Sequence, residues 1–247
     1  RIAIVDIDVH NGDGTASIVR NLRPHSETHI TGPMSKITLP SYRPWLGEDD
    51  ADNVMFASVH LCDAEFYPRL ARQGTGKGSG ADPVFTGVVT NGATNDLDHP
   101  NILNIPMPKT ANTRECRQLF RSLVSERLIP KLRDFKPDLL FISAGFDGHT
   151  EDIKGNKGWC HLLEDDYAWV TDELCKVAKE TAHSRVVSVL EGGYHVERQP
   201  APAPRSRGGN KKGVHNNKSA DPLAVPVPTP GALATSCAAH VGALMRA

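Results

Sequence analysis

The stretch Ile2–Thr15, IAIVDIDVHNGDGT, sets the frame for the rest of the chain. Ile2, Ala3, Ile4 and Val5 form an apolar, largely β-branched run of the kind that suits a strand covered on both faces. Asp6, Asp8 and His10 then fall at every second position. In extended backbone they share one face while Ile7 and Val9 share the other. Three metal-capable groups at the end of a hydrophobic strand are unfavourable to bury without a counter-charge, and a cation supplies one. Asn11-Gly12-Asp13-Gly14 breaks the strand, as expected where a chain turns close to a site. Taken alone, D-x-D-x-H fits a solvated strand end with an Asx turn equally well.

The 247 residues suffice for one sizeable α/β domain with a true core. A formal net charge of -1 gives no overall pull toward nucleic acid or membrane. No apolar stretch reaches the length of a membrane span. The cysteines (Cys62, Cys116, Cys160, Cys175 and Cys237) are odd in number and lack C-x-x-C spacing. That pattern suits a reduced intracellular compartment better than a disulfide framework, and the localisation expected is nucleus or cytoplasm. The chain opens on a core strand at Arg1 without a signal peptide or methionine, so a missing N-terminal segment is expected.

Outward from the first strand, the pattern alternates. Thr15–Leu22 reads as a helix with Thr15 as its cap, Ile37–Leu39 as a short strand and Val54–Leu61 as a better one. Gly74–Gly80 is a plain glycine-rich loop that lacks the ending of a phosphate loop. Ile102–Ile105 is a strand closed by Pro106, and Asn112–Phe135 an amphipathic helix bent at Pro130. Leu139–Ser143 and Val186–Leu190 read as further buried strands, with the helix Glu164–Lys179 between them. Residues 197–230 are rich in Pro, Gly, Asn and Lys, and read as a disordered insertion; the terminal helix follows within 231–247. Such alternation predicts an α/β fold with a mainly parallel central sheet flanked by helices.

In open α/β sheets ligands bind beyond the carboxyl ends of the strands. Three strands here end in polar clusters: Asp6-Asp8-His10, Asp147-His149 and Gly192-Gly193-Tyr194. Asp8, His10 and Asp147 together offer two carboxylates and one imidazole. That count fits catalytic zinc, and the hard donor set admits Mn²⁺ or Fe²⁺ on spacing alone. Tyr194, after two glycines, is placed to aim a hydroxyl at a developing oxyanion, or else is a half-buried tyrosine with a bonded hydroxyl.

The blocks VDIDVHNGDGT, FISAGFDGH and VLEGGY resemble the signatures of the zinc-dependent histone deacetylase superfamily, most closely its class II-like members. The resemblance covers residues 1 to about 196 and resumes at the terminal helix. It implies an arginase/deacetylase-like fold, with Asp8, His10 and Asp147 as ligands of Zn²⁺ and Tyr194 as the catalytic tyrosine. A structural K⁺ near Asp6 is implied too, held by main-chain oxygens of Asp8 and His10 and by the Ser58–Val59 strand end. Phe66-Tyr67-Pro68 is similar to the family's F-[FY]-P, which sets Tyr67, with Gly192 and Gly193, along the substrate tunnel. The implied reaction is hydrolysis of the acetyl amide of acetyl-lysine in histone tails or other proteins. Membership in a corepressor complex goes with it, without membrane or sequence-specific nucleic-acid binding.

Three features depart from the family pattern. Its paired histidines lie upstream of the first metal motif and have no counterpart in these residues. Arg69–Gln73 separate the F-[FY]-P block from its glycine, and the insertion after Tyr194 is long and basic. The 247 residues alone are therefore expected to be poorly soluble and inactive. A catalytically silent acetyl-lysine-binding scaffold is the competing reading, although such a module gains little from a transition-state donor. A binuclear manganese ureohydrolase fits less well, because Asp147-Gly148-His149 stands where that family needs D-x-D.

Overall fold

The structure, a computed structural model, describes residues 1–32, 34–63, 65–67, 94–95, 99–196 and 230–246. A six-stranded sheet runs β5-β6-β4-β1-β7-β8. Its strands are β1 (Ile2–Asp6), β4 (Val54–Leu61), β5 (Thr94–Asn95), β6 (Ile102–Met107), β7 (Leu139–Ala144) and β8 (Val186–Leu190). All pairings are parallel except β5 with β6. β1 lies central, its Asp6 level with Ser58 of β4 and Ser143 of β7.

Side-chain alternation divides the core in two. Ala3, Val5, Met55, Ala57, Leu140 and Ile142 face one layer, built from α3 (Thr113–Leu123), α4 (Ile129–Phe135) and α6 (Glu164–Thr181). α7 (Ala232–Leu244) packs beside α6. Ile4, Val54 and Phe56 face the other way, against α1 (Asp13–Arg20) and α2 (Asp50–Asn53). Among the described residues no helix covers this second face over β7 and β8, where Val187 and Val189 stand 41% and 48% exposed. β8 is thus a half-open edge strand, not the buried strand that its apolar run suggests. Periodicity reports the run itself, whereas burial depends on what packs over it.

Other expectations are corrected at boundaries. α1 begins at Asp13 with Gly12 at its N-cap, so Thr15 lies inside the helix and caps nothing. Pro106 belongs to β6, where the described residues of β5 pair at Leu103 and Asn104 and ask for no proline amide. Asn112 caps α3 by accepting from Glu115 N at 3.0 Å. The irregularity ahead of α4 is a π-helical turn, Val124–Leu128, and Pro130 sits in the first turn of α4, where its missing amide is harmless. The strand at Ile37–Leu39 widens to β3 (Ser35–Ser41), paired with β2 (His25–Gly32) in a separate hairpin. Gly74–Gly80 and the insertion at 197–229 lie outside the described residues.

Candidate metal centre

The site forms where β1, β7 and β8 end side by side. β1 ends at Asp6, but the alternation expected of Asp6, Asp8 and His10 carries on past it: Ile7 and Val9 are buried in the core with Ala3 and Val5, while Asp6, Asp8 and His10 line one cavity. Through the bend at residues 8–10, Asp8 and His10 meet Asp147. His10 Nδ1 lies 2.9 Å from Asp8 Oδ1 and 3.1 Å from Asp147 Oδ2. The three residues form the one group of metal-capable side chains among those described, each offering a ligand atom within 4.8 Å of the others.

Backbone amides fix the carboxylates. Val9 N donates to Asp147 Oδ1 at 3.0 Å, His10 N to Asp8 Oδ1 at 2.8 Å, and Gly192 N to Asp8 Oδ2 at 3.0 Å. The chain around them leaves no room for side chains: a Cβ on Gly145 would stand 2.1 Å from Asp8 Oδ2. Asn156 supports the loop from below, its Nδ2 donating to the carbonyls of Asp147 at 2.9 Å and His149 at 2.7 Å.

A divalent cation suits this donor set. Asp147 is fully buried, and among the described residues its Oδ2 is faced by the His10 imidazole at 3.1 Å. Burial raises the Asp147 carboxyl, with the hydrogen bond from His10 opposing. Burial works against a charged His10, but hydrogen bonds to Asp147 and Asp8 outweigh it and push the imidazole up to about 9. Both shifts describe a cluster that binds a positive charge strongly, which a metal ion provides as well as a proton does.

Asp6 takes a neighbouring role. It is nearly buried, accepts from Asp8 N at 2.9 Å, and is pushed up to about 8, chiefly by burial. With Asp8, His10, Ser143, Glu191 and Tyr194 it lines a cavity of about 430 Å³. Ser58 is held by His60, whose Nδ1 lies 2.9 Å from Ser58 Oγ.

Tyr194 is half exposed beside this cavity. Burial, then the charges of Asp147, Asp8 and Asp152, raise its hydroxyl pKa, so it remains a proton donor at neutral pH. Gly193 before it has φ +139°, a conformation that favours glycine. Phe66 stacks on His10 at 4.9 Å, and the exposed Tyr67 meets the same ring edge-on at 6.1 Å.

The other nearby histidines point elsewhere. His149 is buried, its Nε2 lying 3.1 Å from Glu164 and its Nδ1 accepting from Glu151 N. His195 Nδ1 accepts from Ala232 N at the start of α7. His60 Nε2 lies 3.1 Å from Asn11. Sequence reasoning missed Asp152 and Asn156, which shape the loop behind Asp147. Their one mark in the sequence is an Asp, a Gly and an Asn in a short turn, which is common in any loop.

A mainly parallel sheet flanked by helices is the arrangement of the arginase/deacetylase fold. The histone deacetylase domain matches residues 1–203, and the chain belongs to that family. It is 33% identical over 201 residues to type-2 histone deacetylase 2 of Dictyostelium discoideum, covering 80% of this chain and 9% of that protein. A probable deacetylase of Archaeoglobus fulgidus is 29% identical over 200 residues, covering 80% of this chain and 40% of that one. Among solved structures, the HDA15 HD domain superposes with a TM-score of 0.54 at 18% identity, covering 100% of this chain and 45% of that one. That last likeness concerns the fold. The chain spans less than half the length of these relatives.

Proposed function

We propose that the chain carries the metal-binding part of a deacetylase that hydrolyses the acetyl amide of acetyl-lysine in histone tails or other proteins. The observation that carries this reading is the convergence of Asp8, His10 and Asp147 from two neighbouring strand ends, with Tyr194 beside them. Family membership supports it. Asp8, His10 and Asp147 would hold Zn²⁺, and the ion supplies Lewis-acid activation of the amide carbonyl and of water. Tyr194, kept protonated by its surroundings, donates a hydrogen bond to the carbonyl oxygen as negative charge develops there. Phe66 fixes the plane of the His10 ring, and Tyr67 with Gly192 and Gly193 forms the wall along which the acyl-lysine chain lies. A structural K⁺ near Asp6 and the Ser58–Val59 strand end, a corepressor complex as partner, and action in the nucleus or cytoplasm belong to the same reading.

The test is acetate release from an acetyl-lysine peptide by the zinc-loaded full-length gene product. Tyr194→Phe is expected to lower kcat on the order of a hundredfold with KM little changed, because the lost hydrogen bond matters mainly in the transition state. Equal kcat for the two proteins would assign Tyr194 to packing and remove the catalytic reading.

A further inference from the structure

Tyr194 stands on a segment without regular structure, Glu191–Val196, directly after the conformationally permissive Gly193. Something must fix that backbone if the hydroxyl is to keep its place. We propose that Asp152 is the positioning residue for Tyr194, its carboxylate tying the tyrosine's backbone to the turn that carries Asp147. The proposal rests on the deacetylase reading above.

Asp152 is 1% exposed. Its Oδ2 accepts from the backbone amides of both Tyr194, at 2.5 Å, and His195, at 3.0 Å. Its Oδ1 accepts from Gly155 N at 3.0 Å, which caps the single turn α5 (Ile153–Asn156). That turn is pressed against the metal ligand. A Cβ on Gly155 would stand 2.4 Å from Asp147 Cβ, and Asn156 holds the Asp147 carbonyl. One buried carboxylate thus receives three amide donors from two segments 42 residues apart, one bearing Tyr194 and the other abutting Asp147. Hydrogen bonds to an ionised group are roughly twice as strong as neutral ones, so the link is stiff. Its consequence is mechanical: the hydroxyl and the metal ligand keep a fixed spacing, and small misplacements of reacting groups are costly in rate.

Asp152→Asn keeps the size of the side chain but turns an N–H₂ group toward amides on one of its two sides. Asp152→Ser keeps a helix-capping oxygen and is too short to reach Tyr194 and His195. In the zinc-loaded full-length protein, either variant is expected to lower kcat about ten- to a hundredfold, with KM and zinc content unchanged. Amide exchange in the peptide spanning 191–196 should quicken, while exchange in β1 and β7 stays as it was. In a Tyr194→Phe background the same substitution should change kcat less than about twofold, since a misplaced phenyl ring has no hydrogen bond left to lose. Effects that multiply in the double variant, an unchanged kcat, or unchanged exchange at 191–196 would each overturn the assignment. Failure of Asp152→Asn to fold is met by the serine variant. A Tyr194→Phe protein as active as wild type would instead sink the deacetylase reading; the exchange measurement would still decide whether Asp152 clamps this backbone.

Discussion

Gly192 shows how closely the chain must approach the metal ligands. Its amide donates to Asp8 Oδ2, and a Cβ there would stand 2.3 Å from that oxygen and 2.6 Å from Asp147 Oδ2. Gly192→Ala is therefore expected to weaken zinc binding about ten- to a hundredfold with the fold retained, the loss typical of a disturbed outer shell. Competition with a chromophoric chelator, alongside circular dichroism, measures it; unchanged affinity would show that the backbone can retreat. Asp8, His10 and Asp147 were legible in the sequence because carboxylates and imidazole are out of place at the end of an apolar strand. Asp152, Asn156 and the stacking of Phe66 on His10 were not. Their roles depend on which amides, carbonyls or rings they meet across the fold, and an Asp or Asn in a loop is unremarkable by type.

Among the elements, α3 and α6 are joined by a buried ion cluster. Asp166 is fully buried, with Arg117 Nε and Arg121 Nε each 2.8 Å from its carboxylate, and Arg121 lies over Trp169. Asp166 also accepts from Leu163 N, so it caps its own helix. Asp166→Ala leaves two guanidinium groups without their partner and removes the cap. A loss of about 3 kcal/mol is expected, at the low end for a broken buried pair because both arginines are partly solvated. Urea denaturation checks this; a change below about 1 kcal/mol would place the cluster with ordinary surface pairs. The acidic start of α6 was readable as a macrodipole feature, but its pairing with α3, 45 residues away, was not. β1, β4 and β7 were legible as mainly apolar runs. β2 was not, because HSETHITG has no apolar face to bury and takes its form from pairing with β3.

The whole molecule was legible as an alternating α/β chain with its site at one sheet edge; the uneven cover on the second face was not, since it depends on packing rather than on pattern. Acid sensitivity is a property at this scale. Burial pushes His60 down to about 3 and also lowers His240, which bridges Thr171 and Ser188. Below the unfolded value of 6.5 the unfolded chain binds protons that these folded imidazoles refuse. Stability from His60 is full above pH 6.5 and falls as pH drops toward 3, by up to about 1.4 kcal/mol per pH unit, and His240 acts in the same direction. Asp6, pushed up to about 8, works in the opposite sense, so the comparison is between wild type and His60→Gln. Between pH 7.5 and 5 the wild type is expected to lose stability relative to the variant; parallel curves would mean that His60 titrates normally. The central claim is that Asp8, His10 and Asp147 hold a metal ion, and elemental analysis tests it most directly. After zinc loading and removal of excess metal, about one zinc per protein is expected in the wild type and almost none in Asp147→Ala, since two ligands cannot hold a site built for three. Equal zinc in the two proteins would contradict it.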